Sequence, residues 1–115
     1  MGLHDRAELP ERSNFYCVVH TCLQSKRVAQ LFVAPVWRVR PCSWSDYEAV
    51  SDFAEVVIES SHPVLVHGLV ADVSVSGPRV IEPLAAGGLS GTFECYDEAG
   101  ALILESGFGG NGDAE

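Results

Sequence analysis

Apolar residues at 15–23 fall in both phases of a strand alternation. Phe15, Cys17, Val19 and Leu23 share one side; Tyr16, Val18 and Cys22 share the other. That pattern predicts a strand covered on both faces. The polar residues 24–27 then predict a hairpin loop. A second strand is expected over 28–40, with Trp37 and Val39 inward and Arg38 and Arg40 outward. Pro35 cannot donate to a ladder, so an edge position or a bulge is expected there.

Residues 46–60 change the period. Tyr47, Val50, Phe53, Ala54, Val57 and Ile58 recur at helical spacing and predict one amphipathic helix. Ser45 suits its N-cap, and Glu48 three residues on completes a capping box. Glu48, Asp52, Glu55 and Glu59 form a second stripe on that helix, with no Lys or Arg among them. Like charges one turn apart repel, by a few tenths of a kcal/mol per pair. His62 and Pro63 end the helix.

A long strand is expected over 64–76, bent or bulged at Gly68. Within it Ala71, Val73 and Val75 alternate with Asp72, Ser74 and Ser76. Gly77 and Pro78 predict a turn, and 80–84 a short strand. Residues 89–96 and 101–106 predict a hairpin across Asp97 to Gly100. The order is strand, strand, helix, then three or four strands. It predicts a single α+β domain, with one helix packed on a mostly antiparallel sheet of about five to six strands. Residues 1–13 read as a flexible N-terminal arm, 14–106 as the domain, and 107–115 as a Gly-rich acidic tail.

The 115 residues carry a net charge of −9. Six of the seven basic residues lie in 1–40, and thirteen of the sixteen acids in 41–115. Such a balance does not fit a general nucleic-acid binder, which needs clustered Lys and Arg. Asymmetry of this kind points to a partner or serves solubility. The first ten residues show no basic start followed by an apolar stretch, and no run reaches the ~18 residues of a membrane helix. A cytoplasmic location is therefore expected, in the host cytoplasm if the gene belongs to a phage. Cys17, Cys22, Cys42 and Cys95 then read as free thiols.

Chemistry is sparse. On a strand Cys17 points opposite to His20 and Cys22, which do not form a zinc knuckle. His62, His67 and Asp72 form no assigned triad, and Cys42 precedes the expected helix without a known base. Gly87, Gly88 and Gly91 lack the Lys-Ser/Thr ending of a phosphate loop. No catalytic, metal or cofactor site is assigned. The expected partner-binding residues are Glu48, Asp52, Glu55 and Glu59, with Trp44 as an anchor if exposed.

Three classes of function fit these features. The first is a non-catalytic protein-binding inhibitor that occludes a basic, nucleic-acid-binding surface of a partner. In composition it resembles immunity proteins and phage anti-defence proteins, anti-CRISPRs included. The second is a small enzyme or ligand-binding domain, similar to hot-dog or cone-shaped α+β folds. A cleft beside its helix would use His62, His67, Asp72 and Cys42. The third is an assembly subunit that dimerises through a free sheet edge.

Overall fold

A computed structural model describes residues 13–109. It is an α+β globule of seven strands and one main helix. The strands are β1 (Phe15–His20), β2 (Arg38–Pro41), β3 (Tyr47–Val50), β4 (Ala54–Glu59), β5 (Val64–Val70), β6 (Ser90–Tyr96) and β7 (Leu102–Phe108). A short helix α1 (Ser25–Ala29) follows β1, and the long helix α2 (Val73–Ala86) joins β5 to β6. All strands form one antiparallel sheet in the order β2-β3-β4-β5-β1-β6-β7.

The helix expected over 46–60 is a hairpin, β3–β4. Glu48 pairs with Val57 and Ala49 with Val56 across it. The helical reading left Ala49 and Val56 on its polar side, yet both are fully buried. The competing period of two runs through Ala54, Val56 and Ile58, all buried. β-Branched residues pack well on such a pleated surface. Ser51 supplies the turn: its N–H donates to the Ala54 carbonyl at 2.8 Å, and its Oγ accepts from Phe53 N at 3.3 Å.

The reverse correction applies to 64–84. The strand stops at Val70 and α2 begins at Val73, so the turn at Gly77 and Pro78 and the strand over 80–84 are absent. Val73, Ser76, Gly77, Val80, Ile81 and Leu84 are buried at helical spacing, while Val75 is 63% exposed. Each of Pro78 and Pro83 removes a helical hydrogen bond, a cost of roughly 3 kcal/mol or more in a helix interior. Both prolines lie off the buried stripe. Burial of the stripe outweighs them, as tertiary packing generally outweighs propensity. Asp72 turns the chain into α2 with φ 54°, a left-handed conformation that Asp tolerates better than most residues.

The expected strand over 28–40 is likewise replaced. Val28 and Ala29 end α1, an irregular segment follows, and only Arg38–Pro41 pairs, as an edge strand. The expected loop at 24–27 opens α1. The C-terminal hairpin matches its expectation, except that β7 continues to Phe108. Asp97 Oδ1 accepts from the N–H of Ala99 and of Ala101, each at 2.9 Å, and Gly100 takes φ +85°. Of the expected arm, residues 1–12 lie outside the described residues; of the expected tail, residues 110–115 do.

Both helices pack on one face of the sheet. Phe15, Cys17 and Val19 of β1, Val64, Val66 and Val70 of β5, and Phe93 and Cys95 of β6 point into that layer and are buried. Gly68 sits among them. A Cβ there would strike the Glu55 carbonyl and the Val56 backbone, so β4 and β5 need a glycine at this crossing. Asn14 locks β1 to the end of β5: its Nδ2 donates to the Val70 carbonyl and its Oδ1 accepts from Val70 N, both at 2.9 Å. Among the described residues no helix is long and apolar enough to cross a membrane.

Candidate protein-binding face

Neither helix covers the second face of the sheet, so β1 is not covered on both sides as its sequence suggested. Tyr16 and His20 are exposed and Val18 is half-buried. The register fixes which residues meet on this open face. Across the middle run Arg40, Glu48, Val57, His67, Tyr16, Glu94 and Glu105, one from each strand. Val18, Leu65 and Leu69 lie beside the centre of that row and are half-buried. The face is thus apolar and aromatic in the middle, with acids on either side of that centre and Arg38 and Arg40 on its β2 edge.

Three of the four expected acids come together here, for a reason other than the one the spacing suggested. Glu55 and Glu59 lie two residues either side of Val57 on β4, and Glu48 lies opposite Val57 on β3. A period of two puts Glu55, Val57 and Glu59 on one side of the strand. Diagonal neighbours on an antiparallel pair lie roughly 7–8 Å apart. Asp52 sits in the exposed turn that joins the two strands. The acids are also less isolated than the sequence implied. Arg40 Nε donates to Glu48 Oε1 at 2.7 Å, although this exposed pair contributes little to stability. His67 Nε2 lies 3.4 Å from Glu59 Oε1.

Aromatic contacts order the centre. Tyr16 stacks on His67 with ring centroids 6.0 Å apart and meets Tyr96 edge-on at 5.9 Å. The Tyr96 hydroxyl donates to Glu94 Oε1 at 2.6 Å. That hydrogen bond raises the Tyr96 pKa, because ionisation would set a phenolate against a carboxylate. Glu94 and Glu105 are direct cross-strand partners and so repel. Glu105, Tyr16 and Tyr96 lie outside the set of expected partner-binding residues. Their signal was a two-residue period on β1, β6 and β7, legible only once the strand order is known.

Trp44 lies in the β2–β3 loop with its side chain fully in solvent, at 103% relative exposure. The histidines and Cys42 do not gather. His67 is on the open face, His62 in the β4–β5 turn, Cys42 in the β2–β3 loop and Asp72 before α2; no hydrogen bond or ion pair joins any two of them. The Cys42 pKa is raised, first by burial and then by the Asp46 and Glu48 carboxylates. An activated thiolate needs the opposite shift. Among the described residues no group of His, Cys, Asp or Glu is placed to hold a metal ion.

The comparisons place no relative beside this arrangement: no family model, curated protein or solved structure matches the chain.

Proposed function

We propose that this protein is a non-catalytic binding domain that docks a basic, nucleic-acid-binding surface of a partner protein onto its open sheet face, and so inhibits that partner. The observation that supports the reading is the gathering of Glu48, Glu55 and Glu59 beside an apolar centre built from Val57, Tyr16 and Leu65. Stable interfaces share this plan of an apolar middle and a polar rim. Acids at the rim steer a basic partner and suppress acidic ones.

The test begins with capture of the partner from the native cell and measurement of its affinity over a salt series. Glu55→Lys combined with Glu59→Lys is expected to weaken binding at least tenfold, mainly through a slower on-rate, and to flatten the salt dependence. The partner's binding to DNA or RNA is expected to fall as this protein is added. Unchanged affinity in a double variant that melts like the parent would overturn the reading.

A further inference from the structure

A concave site of about 490 Å³ opens on the helix side of the sheet, between α2 and the irregular segment that follows α1. Its size lies within the range of small-molecule sites, roughly 300–1,000 Å³. The site lies on the opposite side of the sheet from the open face and shares no residue with it.

Two aromatic rings, Trp37 and Phe53, line it, and Phe32 backs the first of them. Trp37 meets Phe32 edge-on at 4.9 Å and Phe53 at 5.4 Å, so its indole is held from two sides. Val33 and Val36 form an apolar lip, 60% and 52% exposed. Apolar groups left in water beside a concavity favour an apolar occupant. Arg79 enters from α2, its guanidinium carbon 3.9 Å from the Phe53 ring centroid. A guanidinium lying over a ring keeps its N–H donors in its own plane, free to grip a carboxylate at two points. Among the described residues the ion pairs are Arg40 with Glu48 and His67 with Glu59; none uses Arg79. Glu82 lies one turn further along α2 and also lines the site. Its charge works against a second negative charge on the ligand, and so against dianions and phosphoryl groups.

We infer that this pocket binds a small apolar monocarboxylate, its hydrocarbon or aryl body against Trp37 and Phe53 and its carboxylate on Arg79.

Trp37 provides the readout. Trp44 stands free in solvent, so Trp44→Phe leaves Trp37 as the sole tryptophan without touching the pocket. In that background octanoate is expected to change Trp37 emission saturably, and octanamide, which keeps the chain but not the charge, to bind about tenfold more weakly or worse. Tenfold in affinity is about 1.4 kcal/mol, the order of one charge-assisted hydrogen bond. Arg79→Gln is expected to erase the preference for octanoate while leaving octanamide binding as it was. Glu82→Gln is expected to tighten octanoate binding. Ala86→Phe, which fills the pocket from an exposed helix position, is expected to abolish both. Absence of a saturable signal with octanoate overturns the inference, as does equal binding of octanoate and octanamide by the parent protein. The second comparison needs no pocket variant to fold.

Discussion

Gly77 of α2 lies so close to Cys95 of β6 that a methyl group at position 77 would sit 2.7 Å from the Cys95 sulfur. The same methyl would lie 3.5 Å from the Phe15 ring, and Cys95 and Phe15 are both fully buried. The helix therefore rests on the sheet at the residue with no side chain. Gly77→Ala has two opposed effects. Helix propensity favours alanine by about 1 kcal/mol, whereas overpacking a filled core costs about 1–3 kcal/mol. A net loss of about 1 kcal/mol is expected, and a larger one for Gly77→Val, read as a lower midpoint in urea at unchanged slope.

Burial pushes the Cys17 thiol up to about 12 from an ordinary value of 9.0. The unfolded chain ionises this group first, so its contribution to stability is intact below about pH 9. It is lost as pH rises from there through about 12. Cys17→Ala is expected to lower stability near neutrality by opening a small void, and to shallow the alkaline fall by at most about 1.4 kcal/mol per pH unit. Urea titrations of both proteins between pH 8 and 11 check this.

The four thiols divide by burial. Cys22 and Cys42 are exposed, whereas Cys17 and Cys95 are buried. A thiol reagent such as Ellman's is expected to label two cysteines in the folded protein and the other two only on unfolding. Cys42 should react more slowly than Cys22, because burial, Asp46 and Glu48 raise its pKa. Peptide mapping after brief labelling distinguishes the pair. Fast labelling of all four thiols would contradict the packing described for β1 and β6.

Glu94 and Glu105 face each other across β6 and β7. Glu105→Lys replaces a repulsive cross-strand pair with an attractive one, worth roughly 0.2–1 kcal/mol. The melting temperature is expected to rise by a few degrees at low salt, with the gain shrinking as salt is added. If the open face docks a basic partner, the same substitution also weakens that complex. Stability and affinity then move in opposite directions.

Strand β1 and the β6–β7 hairpin were the most legible in sequence. The strand at Phe15 and the β6–β7 hairpin carry local signals: alternation, and an Asp–Gly turn with its own hydrogen bonds. The middle misled because both periods fit it. Tyr47, Val50, Phe53, Ala54, Val57 and Ile58 satisfy a helix, while Ala49, Ala54, Val56 and Ile58 satisfy two strands. A dipeptide's worth of turn chemistry at Ser51 and Asp52 is too weak to choose between them. Residues 73–86 showed the opposite ambiguity, with Pro78 and Pro83 hiding a helix whose stripe includes the small residues Ser76 and Gly77. The acids survived the misreading because i, i+4 and i, i+2 patterns share some members. Glu55 and Glu59 lie on one side of a helix and on one side of a strand.

By itself, the sequence determined the composition of the two environments: enough β-branched and aromatic residues for one core, and acids concentrated beyond residue 40. It also determined the C-terminal hairpin, through a turn whose hydrogen bonds are made within five residues. Only the tertiary structure decided which segment became the helix, because that choice turns on which side chains find a buried partner. It also decided that neither helix covers the second sheet face, since both pack on the same side of a single sheet. The row from Arg40 to Glu105 and the pocket between Trp37 and Arg79 follow from that decision. Each joins residues far apart in the chain, and no local pattern encodes their meeting.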